Sequence, residues 1–144
     1  MATYKRILVA LDLASDEPKV IEQAIELSRQ NDAVLSLVHV VEHMASVYIN
    51  ETSFPEIPDI ENRLTDTAAE KLAQTKQDYQ ILDAESYVRA GTAKHEIVDL
   101  AKEINADLIV IGSHGRRGLQ LLLGSTANGI LHLAACDVLA VRIS

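Results

Sequence analysis

Cysteine occurs once in the 144-residue chain, at Cys136. That excludes an internal disulfide framework and any multi-cysteine metal site, and it fits a reducing compartment, so a cytoplasmic location is expected. Positive charge is also short: thirteen Lys and Arg against twenty-one Asp and Glu leave a formal net charge of -8. Phosphate backbones and anionic lipid surfaces would repel such a chain, so no nucleic-acid or membrane partner is expected. No apolar run approaches the ~20 residues that span a bilayer, and Met1 to Arg6 lead into the first apolar run with no signal-peptide pattern. Repeats and low-complexity segments are missing too. What is present is 48% apolar and 24% charged residues, enough for one core in a single domain over residues 1–144.

Ile7 to Leu11 form an apolar run of strand length that ends at Asp12. Ser15 or Asp16 offers a cap, Pro18 suits a first helical turn, and Ile21, Ala24, Ile25 and Ser28 recur at helical spacing as far as Asn31-Asp32. Residues Ala33 to Val41 are too continuously apolar for a half-exposed strand, which predicts one buried on both faces. From Glu42 to Pro58 periodicity vanishes, and then Ile60, Leu64, Ala68 and Leu72, four apart, predict a helix from about Asp59 to about Gln77. Ala84 to Ala90 alternate as a strand at a sheet edge does, and Thr92 is an N-cap candidate for a helix carrying Ile97, Ala101 and Ile104. Asp107 to Ile111 read as the next buried strand, Ser125 to Ala135 as a helix and Val138 to Ile143 as the last strand. Strands alternating with helices imply a parallel sheet covered on both faces, with right-handed crossovers.

In such sheets ligands bind beyond the carboxyl ends of the strands, where strand order reverses. Two segments compete for that place: Asp12, and the stretch from Gly112 to Asn128. Gly112 and Gly115 remove side chains from the path of an anion and permit positive φ, while Gly124-Ser125-Thr126 opens a helix whose free N–H groups attract one. From Leu108 to Cys136 there is no Asp or Glu, and Arg116 and Arg117 lie inside that stretch. A glycine-rich turn with a hydroxyl cap also serves merely to turn the chain. Spacing alone leaves both readings open.

The segments Tyr4 to Asp12, Leu37 to Val40, Ala106 to Gly115, Gly124 to Thr126 and Cys136 to Arg142 together resemble the universal stress protein family, in order and over the whole chain. The resemblance implies a Rossmann-like α/β fold related to the adenine nucleotide alpha hydrolases, with a five-stranded parallel sheet of order 3-2-1-4-5. It also implies a homodimer and, in many members, ATP bound through Gly-x2-Gly-x9-Gly-Ser/Thr after the fourth strand. Position by position, Asp12 resembles the acid near ribose and a nucleotide-borne magnesium, Ala10 the small residue lining the nucleotide, and Val40 the main-chain adenine contact. Ile111 and Gly112 resemble the backbone along adenine and ribose, and Gly115, Gly124, Ser125 and Thr126 the phosphate-holding groups. One spacing departs from the pattern: eight residues, Arg116 to Leu123, separate Gly115 from Gly124 where the signature has nine.

Other residues read more plainly. Asp12 taken alone is either a ribose or metal ligand or a helix cap. His39, in an apolar run, reads as a hydrogen-bonded core histidine, and Cys136 as a small hydrophobe. His114 either approaches phosphates or sits in a solvated loop, and Tyr48 and Phe54 either cover an adenine or pack their loop. His43, His95 and His132 have no partner at metal-ligand spacing. No general base stands beside a nucleophile, so the first reading is a dimeric, ATP-binding stress-response module, with any slow hydrolysis incidental. The second is a dimeric interaction protein of the same family that the shortened spacing has deprived of nucleotide. Related enzymes would need Ser-Gly-Gly, His-x-Gly-His or Gly-x-Gly-x-x-Gly after the first strand, where Asp12-Leu13-Ala14-Ser15-Asp16 stands. In either reading the dimer is expected through the last strand, Val138 to Ile143, an apolar edge that proteins avoid leaving bare.

Overall fold

β-branched and aliphatic runs of five to eight residues become the strands. They are β1 (Arg6–Ala10), β2 (Val34–Val41), β3 (Glu85–Ala90), β4 (Leu108–Gly112) and β5 (Asp137–Val141). Between them lie α1 (Pro18–Asn31), α2 (Ile57–Asp78), α3 (Ala93–Glu103) and α4 (Ser125–Leu133). The computed structural model describes residues 4–13, 18–42, 57–113 and 125–142. All strand pairs are parallel, in the order β3-β2-β1-β4-β5. The chain winds outward from β1 to β3, crosses back to β4 and continues to β5, so order reverses between β1 and β4.

Alternation along the central strands divides the core in two. Ile7 and Val9 of β1 with Leu108 and Val110 of β4 pack on Val20, Ile21, Ala24 and Ile25 of α1, in a cluster that also takes in Leu72 of α2. Leu8 of β1 and Ile109 and Ile111 of β4 pack instead on Ile97, Val98, Leu100 and Ala101 of α3 and on Ala127 and Ile130 of α4. Both faces are covered, as a parallel sheet requires. The first three helices close alike. Asp32, Gln80 and Asn105 take left-handed φ of 53°, 57° and 58°. In each case the next residue's N–H reaches back five residues: Ala33 to Ser28 O, Ile81 to Lys76 O, Ala106 to Ala101 O. These Schellman closures satisfy the last carbonyls and deliver the chain straight into the following strand.

Two expectations change. The row Ile60, Leu64, Ala68, Leu72 is not one buried face: Leu72 is fully buried and Ala68 nearly so, but Leu64 is 42% exposed. A step of four residues overshoots a 3.6-residue turn by about 40°, so three steps rotate the row by roughly 120°. Thr92 does occupy the N-cap of α3, but its side chain makes no cap bond. The carboxylate of Glu42, just past β2, accepts the Ala93 N–H at 3.1 Å instead. The candidate caps Ser15 and Asp16 of α1, the loop with His43, Tyr48 and Phe54, and Ile143 lie outside the described residues.

Candidate functional site at the strand-order reversal

The crevice beyond β1 and β4 is built on one face of the sheet. Ala10, Ile111 and Val40 sit near the carboxyl ends of three adjacent strands, and all three pack with the α3 and α4 cluster. Ile111 is buried, whereas Ala10 and Val40 are half-buried, so the row ends where the interior meets solvent. Ala10 has the shortest side chain of the three and stands level with Val38, two residues before Val40. Beside this row α4 begins with Ser125 and Thr126, both exposed, while Ala127 and Ile130 of the same helix turn inward. The first turn of α4 therefore carries two exposed hydroxyl residues at the helix end where N–H groups have no intrahelical acceptor and the dipole is positive.

Backbone bonds carry the sheet a step past its strands here. Gly112 pairs with Val141 as the last residue of β4, and the Ser113 N–H donates to Val141 O at 2.8 Å. The Leu11 N–H donates to Val38 O at 2.9 Å. Gly112 does not use the positive φ open to it, because its backbone is extended in the ladder. Among the described glycines only Gly91 does, with φ 147° at the end of β3. Asp12 follows Leu11 and is exposed. It is not the cap of α1, which starts six residues later at Pro18. Gly115 and Gly124, with His114, Arg116 and Arg117, lie outside the described residues.

The two acids that flank the acid-free stretch lie at one end of the sheet. The acid-free stretch is bounded by Asp107 and Asp137, at the amino ends of β4 and β5, so both carboxylates stand at the opposite pole from the crevice. There they serve structure. Asp107 accepts the N–H groups of Lys5 and Arg6 at 2.8 and 3.0 Å, and Asp137 accepts the Tyr4 hydroxyl at 2.8 Å. Hydrogen bonding to Asp137, more than burial, pushes the Tyr4 phenol above its ordinary range. Burial pushes up the Cys136 thiol, which packs half-buried against the α3 and α4 cluster as a small hydrophobe. His39 donates from Nδ1 to Leu11 O at 2.8 Å, the hydrogen-bonded histidine its apolar setting predicts. What the sequence did not signal is the identity of its partner, 28 residues away. Likewise nothing local points from Glu42 to Ala93, 51 residues on. Among the described residues no group of three His, Cys, Asp or Glu could hold a metal, and no helix is long and apolar enough to cross a membrane.

A doubly wound parallel α/β domain whose strand order reverses between β1 and β4 is the class these features define. A family model described as universal stress protein family matches residues 3–142. The chain is 46% identical over 145 aligned positions to universal stress protein A homolog 2 of Coxiella burnetii, covering 99% of this chain and 98% of that protein. Its fold matches the universal stress protein UspA from Lactobacillus plantarum with a TM-score of 0.77 at 25% identity, over 99% of this chain and 100% of that one. It also matches a universal stress protein solved in complex with cAMP, at 19% identity, TM-score 0.67 and the same coverage, a likeness of fold alone. The chain belongs to the universal stress protein family.

Proposed function

We propose that this universal stress protein is a dimeric, cytoplasmic, ATP-binding module whose occupancy alters its conformation or its choice of partner. The observation that carries this reading is the meeting of Ala10, Val40 and Ile111 on one sheet face beside the exposed first turn of α4. The apolar row suits an adenine, and the short Ala10 side chain leaves room beside it. Phosphates fit the amides and hydroxyls of Ser125 and Thr126, in a stretch without carboxylates to repel them. Asp12, exposed at the mouth, suits a ribose hydroxyl or the magnesium that accompanies the phosphates. The cAMP complex of a protein with the same fold is a precedent for an adenine nucleotide on this scaffold. Binding alone suffices for such a role, and hydrolysis is not required of it.

Calorimetry of nucleotide-free protein with magnesium and ATP tests the proposal. Measurable heat is expected, and Gly124→Val should weaken binding at least about tenfold, or about 1.4 kcal/mol, by placing a branched side chain beside the phosphates. No heat at millimolar ATP would overturn it. In that event the shortened spacing favours the second reading, a nucleotide-free dimer, which predicts that one residue inserted between Gly115 and Gly124 restores binding.

A further inference from the structure

β1 leaves its ladder at Ala10, two residues short of Asp12. Two bonds to β2 hold the chain on either side of the Leu11 Cα, just before Asp12. Val38 O receives the Leu11 N–H at 2.9 Å, and the Leu11 carbonyl accepts from His39 Nδ1 at 2.8 Å. A peptide unit is planar, so fixing that carbonyl fixes the plane from which the Asp12 Cα departs. We propose that His39 is a positioning residue for the ligand crevice: its imidazole holds the Leu11 carbonyl and thereby aims the Asp12 carboxylate at the bound nucleotide.

The reading of Asp12 rests on the proposed function; the clamp itself does not. A carbonyl oxygen only accepts, so Nδ1 carries the proton in the neutral and the charged ring alike. His39 lies one residue before Val40, so a single stretch of β2 both lines the crevice and secures Asp12. The bond spans 28 residues and joins the ends of two neighbouring strands. Losing a group that orients a ligand-binding carboxylate typically weakens binding by about ten- to a hundredfold.

Three variants separate orientation from packing. His39→Phe keeps a ring and removes the donor, and His39→Asn returns an amide donor near the Nδ1 position. Asp12→Ala, combined with each, asks whether His39 acts through Asp12. Titration with magnesium and ATP should show His39→Phe about tenfold weaker than the native protein and His39→Asn within about threefold of it. In the Asp12→Ala background, His39→Phe should cost less than about twofold more. Equal loss in the Phe and Asn variants, or the full loss persisting without Asp12, would overturn the proposal. If the native protein binds no ATP, the nucleotide reading falls, and the clamp is judged on ligand-free protein. There the Asp12 amide order parameter should drop from about 0.85 to below about 0.6 in His39→Phe and recover in His39→Asn. An unchanged value overturns the clamp. So does a native ring whose nitrogen shifts place its only proton on Nε2, a measurement that needs no variant to fold.

Discussion

Single side chains decide how the pole opposite the crevice responds to pH. The Cys136 thiol is raised by burial and the Tyr4 phenol by its bond to Asp137, so the folded chain keeps both protons to higher pH than the unfolded chain does. A raised group contributes stability that is complete below its unfolded value, here 9.0 for the thiol and 10.0 for the phenol, and lost as pH climbs through the folded one. Urea midpoints measured from pH ~8 to ~11 should therefore fall, and fall less steeply in Cys136→Ala and Tyr4→Phe. Parallel curves for native and variant proteins would refute this. On the acid side, Arg89 holds the Glu103 carboxylate below its ordinary value through a 2.8 Å ion pair. That contribution is present above pH 4.5 and fades as pH falls further. Both partners reach solvent, so the effect is small.

At the scale of elements, helix ends and faces carry the stability. Gln80 adopts the left-handed conformation at the close of α2 without the hydrogen-bonding side chain that eases Asp32 and Asn105 into it. Gln80→Gly should therefore stabilise the protein by about 0.5–1 kcal/mol, read as a higher denaturant midpoint. A lower midpoint would mean that the glutamine side chain contributes more than the strain it carries. The rotation of α2 against its own apolar row gives a paired expectation. Leu72→Ala empties a fully buried site and should cost about 2–5 kcal/mol, whereas Leu64→Ala, at a 42% exposed position, should cost less than about 1. Equal losses would place Leu64 inside an interface.

For the molecule as a whole, the outer edge of β5, which pairs with no other strand among the described residues, poses the question of assembly. The Val141 carbonyl faces β4, where it accepts the Ser113 N–H, so in a parallel ladder Asp137 and Leu139 face the same way. Val138 and Ala140 turn their N–H groups outward, to the side on which a two-fold copy would pair. Ala140→Pro removes one outward donor and no inward one. Sedimentation should show a native dimer and a folded Ala140→Pro monomer, and a native monomer would end the proposal. Much of this architecture is legible in the chain itself. Apolar runs mark the strands, three- and four-residue spacing marks the helices, and the clearing of acids between Asp107 and Asp137 marks the segment singled out as a candidate anion site. Those are local regularities, set by backbone geometry within a few residues. Tertiary structure alone settled that Glu42 caps α3, that Asp107 receives the first peptides of β1, that Leu64 turns outward and that His39 grips the carbonyl before Asp12. The four bonds join residues 28 to 102 positions apart, so no periodicity within an element encodes them, and the drift of a four-residue row tells only that Leu64 and Leu72 diverge, not which of them meets the sheet.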